Sequence, residues 1–251
     1  MAGVVAAVRT CATAFLISVY VLLCGPPLLV WTMATGNARW LYGAAAAGVR
    51  FGLALSGIRL EVSGQEHVGG RPAVYASNHS SNVDAPAVFY ALRGLFPHLR
   101  ILYKAELRKL PVLVWAFDAA GFVPLERANP DQSRPAVDRA VAAIALGNSF
   151  VIFPEGTRSR TGELLPFKKG GFIMAINAQA PVVPVAVTGG RLAMRKGSRL
   201  IWPATVRVAF GAPIETAGLA FEDRDALIER VRSSIAAHLG PGGPLAAGSG
   251  Q

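Results

Sequence analysis

Apolar positions fall into two regimes along this chain. From Thr10 to Met33 there is no charged residue at all, with Arg9 just before the run and Arg39 after it. A run of that length suits a membrane-spanning or deeply embedded helix. Gly25, Pro26 and Pro27 interrupt it and predict a break or a shallow hairpin at that point. A secretory leader is the competing reading, from the basic start, the apolar core and the small residues Ala34, Thr35 and Gly36. The run is long for such a core and leads into more apolar sequence, which favours an anchor. Trp40 to Ile58 is a second stretch rich in Ala, Leu and Gly, with Arg50 as its interior charge. Trp31 and Trp40 stand where interfacial anchors are expected.

From Ala73 onward the pattern changes to short apolar bursts alternating with longer amphipathic segments. Arg59 to Val62 is strand-like and leads into a Gly-rich turn. Strands are predicted near Ala73–Ser77, Arg100–Tyr103, Phe122–Leu125, Ser149–Phe153, Val182–Val187 and Thr205–Phe210. Helices are predicted near Ala85–Arg93, Val114–Ala119, Pro135–Leu146, Gly170–Gln179 and Glu222–Leu239. The last places Leu227, Ile228, Val231, Ile235 and Leu239 on one face, which packs it on the body. This order predicts an α/β fold: a mixed sheet with helices on its faces, preceded by an apolar two-helix membrane-associated segment. The expected divisions are an anchor over 1–60, a catalytic domain over 61–240 and a disordered Gly- and Pro-rich tail over 241–251.

Charge narrows the partners. The 251 residues carry a formal net charge of +10, so the partner is expected to be anionic: a phosphate-bearing substrate, an anionic membrane surface or nucleic acid. Nucleic acid is disfavoured, because no recognition module and no basic helix with interleaved aromatics is present. Cys11 and Cys24 both lie in the first apolar run, so the main domain has no disulfide framework and no thiolate zinc site. His67, His98 and His238 are scattered without ligand spacing, and no metal is expected.

Two stretches carry the candidate chemistry. Ser77-Asn78-His79-Ser80-Ser81-Asn82-Val83-Asp84 joins a short apolar strand to a helix with Pro86 in its first turn. This places a His at a strand's C-terminal end and an Asp five residues on. A neutral imidazole takes a proton from a hydroxyl at physiological pH, and a carboxylate on its other nitrogen fixes the tautomer. The bland alternative is a capped helix start with a polar loop histidine. The second stretch is Phe153-Pro154-Glu155-Gly156-Thr157-Arg158-Ser159. A glycine turn after a strand presents N–H groups to an anion, and Arg158 adds a bidentate fork suited to phosphate. Read alone, this is an ordinary charged turn. Lys104 and the segment Gly121 to Arg127 also place cations after predicted strands, and Val183-Pro184-Val185 follows later.

Taken together, from Arg71 to Gly211, these four blocks resemble the glycerolipid acyltransferase family, in particular its bacterial 1-acyl-glycerol-3-phosphate acyltransferases. His79 and Asp84 match the family's His-x4-Asp motif. Lys104 and the Gly121–Arg127 segment match the second block, the Glu155-Gly156-Thr157-Arg158 turn the third, and Val183-Pro184-Val185 the fourth. The departures lie in the second block: Val114 precedes Trp115 where many members have Gly, and Leu125-Glu126-Arg127 replaces Ile-Asp-Arg. The resemblance implies acyl transfer from acyl-CoA or acyl carrier protein to the 2-hydroxyl of a lysophospholipid, with His79 as general base oriented by Asp84. It implies that Asn78, Lys104, Arg127, Glu155, Gly156, Thr157 and Arg158 form the acceptor site. No cofactor beyond the thioester co-substrate is implied, and the expected location is the inner membrane with the catalytic domain facing the cytoplasm. Three alternatives stay open: the same chemistry on another lysolipid such as a lyso-ornithine lipid, a hydrolase using Ser80 or Ser81, and a non-catalytic membrane-binding protein. The second lacks any Gly-x-Ser-x-Gly elbow.

Overall fold

The computed structural model describes residues 1–109, 111–125 and 130–240, of which 104, 111–113 and 130–133 are described by backbone alone. Arg127 and the tail over 241–251 lie outside the described residues.

The chain opens with two helices, α1 (Ala2–Thr35) and α2 (Arg39–Leu55). The predicted break at Pro26 and Pro27 does not occur: α1 runs through both, and the turn comes at Gly36, in the left-handed conformation with φ 69°. Proline removes an N–H donor but its fixed φ is itself helical, so the backbone can continue through it. Gly48 and Gly52, four residues apart and so on one face of α2, let α1 approach closely. A Cβ on Gly48 would meet the Tyr20 ring at 2.8 Å, and one on Gly52 would meet Ile17 at 3.3 Å. The Tyr20 hydroxyl donates to the Ala44 carbonyl at 2.8 Å.

The outer face of α1 is inverted relative to a water-soluble helix. Its buried positions are Ala6, Thr13, Leu29 and Thr32, whereas Val4, Val8, Phe15, Leu22, Leu23 and Met33 are exposed. A contiguous apolar face of this size marks contact with lipid or another protein. The helix is tied to the body, since Ile201 N–H donates to Thr10 Oγ1 at 2.9 Å. In α2 the buried Tyr42 is the matching pin: its hydroxyl donates to the Leu99 carbonyl and receives a bond from Arg100 at 2.9 Å. Burial pushes the Tyr42 phenol up to about 12, with Arg100 opposing the shift.

The body is a seven-stranded sheet among the described residues. Its strands are β1 (Ile58–Ser63), β2 (Val74–Ser77), β3 (Leu99–Lys104), β4 (Val123–Leu125), β5 (Ser149–Ile152), β6 (Val182–Thr188) and β7 (Ala204–Phe210), in the order β1-β7-β6-β2-β5-β3-β4. All neighbours are parallel except β6 and β7, so the sheet is mixed as expected. The central strands are buried on both faces, which is why they read as unbroken apolar runs. One face, through Val74, Ala76, Phe150 and Ile152, packs on α5 (Pro130–Ala145), α6 (Gly170–Asn177) and α8 (Arg224–Leu239). Leu227, Val231 and Ile235 of α8 are fully buried there, each contributing roughly 1.5–3 kcal/mol. The other face, through Tyr75, Val151 and Val183, packs on α2 and on α3 (Asp84–Ala91). The helix α4 (Pro111–Ala119) joins β3 to β4. One element has no counterpart among the predicted helices: the short α7 (Gly190–Ala193) directly after β6.

Because β6, β2, β5, β3 and β4 are parallel, their C-terminal ends share one edge of the sheet. The loop after β2 holds His79, the loop after β5 holds Glu155 to Arg158, and Lys104 closes β3. Blocks far apart in sequence, from His79 to Arg158, thus meet at the edge where α/β sheets bind ligands.

Candidate active site

His79 and Asp84 meet. His79 Nδ1 lies 3.2 Å from Asp84 Oδ2. Asp84 opens α3 and is completely buried, and its Oδ2 also accepts the N–H groups of Ser80 and Ser81, both at 2.6 Å. A carboxylate facing Nδ1 assigns the proton to that nitrogen and leaves the lone pair on Nε2. Nε2 has no hydrogen-bond partner among the described residues, and the ring packs against Phe153 with centroids 4.5 Å apart. The result is an oriented imidazole whose Nε2 is able to accept a proton.

The backbone of His79 is held from the β5 loop. Glu155, 4% exposed, accepts the His79 N–H on Oε1 at 2.6 Å and the Leu165 N–H on Oε2 at 3.0 Å. The Ser159 N–H donates in return to the His79 carbonyl at 2.7 Å. Each carboxylate–amide bond contributes roughly 1.5–3 kcal/mol, more than an exposed ion pair would. Burial raises the Glu155 carboxyl above its ordinary value, with the two N–H donors opposing that shift. Asn78 does a parallel task on the other side. Its side chain accepts from the Val187 N–H at 2.7 Å and donates to the Val187 carbonyl at 3.0 Å, extending the β2–β6 pairing by one rung. Asn78 and Glu155 therefore brace the base from below, with side chains already satisfied by backbone.

The rim is polar and open. Gly156 has φ 68°, and a Cβ there would run into the Lys168 side chain at 2.9 Å, so this turn both needs glycine and brings a cation across it. Arg158 reaches to the histidine loop, donating from Nη1 to Asn82 Oδ1 at 2.6 Å. Lys196 donates to the Arg158 carbonyl at 2.8 Å and to Thr157 Oγ1 at 3.2 Å. Lys104 sits at the same sheet edge by its backbone, in register with Leu125. Lys168, Lys196 and Asn82 were not among the predicted site residues. Lys196 lies some forty residues beyond the turn it joins, and no local pattern marks it. Among the described residues no group of three or more His, Cys, Asp or Glu side chains gathers as a metal site would.

Beside the first turn of α3 lies a cavity of about 410 Å3, lined by Leu41, Tyr42, Pro86, Phe89, Phe117 and Phe122 among others. Its walls are almost wholly apolar. The site thus combines an oriented imidazole, a cationic rim and an apolar slot.

Comparison with known proteins decides the family. A family model described as Acyltransferase matches residues 59–188, just over half of the chain and all four blocks. This chain belongs to the acyltransferase family. The acyltransferase is 36% identical over 191 residues to the 1-acyl-sn-glycerol-3-phosphate acyltransferase of Limnanthes douglasii, covering 75% of this chain and 66% of that one. It is 32% identical over 214 residues to the Cocos nucifera protein of the same name, covering 84% and 67%. Against the alpha form from Homo sapiens, identity is 31% over 193 residues, covering 72% and 64%. The chain thus spans about two thirds of the length of the curated relatives it matches. The crystal structure of the 1-acyl-sn-glycerophosphate acyltransferase PlsC from Thermotoga maritima superposes with a TM-score of 0.78 at 24% identity, covering 94% of this chain and 96% of that one. That last likeness is one of fold.

Proposed function

We propose that this acyltransferase moves a fatty acyl group from a thioester to the free 2-hydroxyl of 1-acyl-sn-glycerol-3-phosphate, giving phosphatidic acid. The observation that carries the reading is the His79–Asp84 pair with Nε2 free. Nε2 takes the proton of the acceptor hydroxyl as its oxygen attacks the thioester carbonyl. The tetrahedral intermediate collapses, the C–S bond breaks, and the imidazolium returns the proton to the departing thiolate. A thiolate leaves readily, so no acyl-serine is needed. Ser80 and Ser81 donate their N–H groups to Asp84, and the Ser81 hydroxyl is bonded to the Met194 carbonyl, which fits scaffolding and not nucleophilic attack. Arg158, Thr157 and Lys104 hold the acceptor phosphate with Arg127, which lies outside the described residues. The apolar cavity beside α3 takes acyl chain.

The donor is acyl-CoA or acyl carrier protein, with no other cofactor. The exposed apolar face of α1 is the membrane contact. Because Thr10 ties that helix to the body, the reading that fits is a helix embedded from one side, with the body on the cytoplasmic face of the inner membrane.

A thiol-release assay tests this. Detergent-solubilised protein receives acyl-CoA or acyl carrier protein thioester, with lysophosphatidic acid or a phosphate-free lysolipid as acceptor. Thiol release that needs lysophosphatidic acid and falls about 10²–10⁴-fold in His79→Ala supports the proposal. Release without acceptor, or full turnover by His79→Ala, refutes it. Turnover on the phosphate-free lysolipid alone keeps the mechanism and replaces the substrate.

A further inference from the structure

The Asp84 carboxylate is used one-sidedly. Oδ2 takes Ser80 N–H, Ser81 N–H and His79 Nδ1, while the buried Oδ1 has no hydrogen-bond partner among the described residues. What stands against Oδ1 is Gly190, the first residue of α7. A Cβ built on Gly190 would overlap Oδ1 and come within 3.0 Å of the Ser81 Cβ. Gly190 does not have the positive φ that favours glycine, so its backbone tolerates alanine and only the space forbids it. Its neighbour Gly189 differs: its φ is 77°, and a Cβ there would strike the Thr205 carbonyl, away from Asp84.

We propose that Gly190 is a positioning residue for the catalytic pair: the side chain it lacks is the space in which Asp84 stands with Oδ2 on His79. The surrounding bonds make the position exacting. Ser81 Oγ donates to the Met194 carbonyl at 2.7 Å, and Asn78 is bonded twice to Val187. These ties set the separation between the histidine loop and the β6–α7 segment at both ends. An added methyl group therefore cannot be absorbed by moving the segments apart, and the displacement falls on the carboxylate. Oδ2 then leaves Nδ1, the imidazolium loses its counter-charge, and the base loses its fixed tautomer. Gly190 is not among the residues that line the apolar cavity.

A double-mutant cycle with Asp84→Ala tests this, read by thermal unfolding and by turnover in the same detergent. In the wild-type background, Gly190→Ala lowers Tm by on the order of 5 °C. It lowers kcat by about 10²-fold, with the acceptor KM unchanged. In the Asp84→Ala background Oδ1 is gone, and most of the Tm loss disappears. If Gly190→Ala alone does not fold, a folded double variant gives the same answer. Gly189→Ala is the control, losing Tm equally in both backgrounds. Equal losses for Gly190→Ala in both backgrounds overturn the inference, as does a Gly190→Ala enzyme with wild-type kcat. The kcat arm rests on His79 and Asp84 being the catalytic pair. The Tm cycle does not, so an error in the proposed function would surface in His79→Ala and leave the cycle intact.

Discussion

Glu155→Gln separates two roles that one glutamate in this motif could have. The side chain keeps its size, so packing is preserved, but one acceptor oxygen becomes an NH2 group. In the native site the two oxygens meet two backbone N–H groups, those of His79 at 2.6 Å and Leu165 at 3.0 Å, with 4% of the residue exposed. Whichever way the amide is turned, one N–H faces another donor. Losing a charge-assisted bond costs roughly 1.5–3 kcal/mol, and removing a buried charge offsets part of it, leaving a net loss of about 1–2 kcal/mol. For a chain of this size that is a Tm lowered by about 2–8 °C. The catalytic effect goes through the His79 backbone, so kcat falls by about tenfold or more with acceptor KM unchanged. A Glu155→Gln enzyme of native Tm whose defect lies wholly in acceptor KM would refute this, because it would mean that the carboxylate meets the substrate.

The same residue predicts a pH dependence. Burial raises the Glu155 carboxyl above 4.5, the ordinary value. A carboxyl with a raised folded-state value favours the fold below its unfolded value and withdraws that favour as pH rises through the folded value. Wild-type stability should therefore decline over the window that begins near 4.5 and ends at the raised value, and the Glu155→Gln variant should lack that decline. Denaturant titrations at stepped pH measure the difference, and parallel curves for the two proteins count against the assignment.

Two further outcomes follow from the rim and the helix pair. Arg158→Gln removes the guanidinium that reaches Asn82 and should raise acceptor KM by about tenfold or more while leaving Tm within about 2 °C; an unchanged KM excludes Arg158 from the phosphate site. Tyr42→Phe removes the hydroxyl bonded to the Leu99 carbonyl and Arg100, and should lower stability by about 1–3 kcal/mol without changing acceptor KM, measured by denaturant unfolding in detergent; native stability would mean that α2 is not pinned there.

Where the sequence was legible, the reason is periodicity. The strands β2, β5 and β6 are buried on both faces, so they stood out as unbroken apolar runs, and α8 announced its packing face through Leu227, Val231 and Ile235. The spacing of His79 and Asp84 alone left a capped helix start equally open, and it was the resemblance over four ordered blocks that singled out the pair, which the structure brings to 3.2 Å. Other features were hidden by the absence of local signal. Pro26 and Pro27 carry a strong helix-breaking signal in water that α1, with its outward apolar face, does not obey. The grouping of Asn78 and Glu155 with ligand contacts followed from their position in the motifs. Their actual partners are backbone groups of Val187, His79 and Leu165, which no side-chain pattern encodes. The α7 turn is four residues long, below the length at which periodicity exists, yet it supplies Gly190 and leads into Lys196.

The division between what is buried and what is open has a functional logic. The His79 imidazole is held by groups with little or no access to solvent: Asp84 at the ring, Glu155 and Ser159 at the His79 backbone, and Asn78 beneath it. Their errors are not averaged out by motion, which suits a step that depends on sub-ångström placement of Nε2. Thr157, Arg158 and Lys196, by contrast, reach solvent and are held by a few bonds to neighbouring loops. On the proposed function, an acceptor whose tails lie in a bilayer arrives with its headgroup in many orientations, and an adaptable cationic rim captures more of them than a rigid one. Changes in the rim therefore alter which headgroup is accepted at little cost to stability, while changes in the buried set alter the chemistry and the fold together. The departures of the second block fall on the side of specificity. Val114 lies on α4, which joins the edge strands β3 and β4 and borders the apolar cavity through Ala116 and Phe117, whereas His79 stands in the loop after the central strand β2 and Asp84 at the start of α3. Substituting that block should redirect the enzyme among lysolipids before it slows acyl transfer.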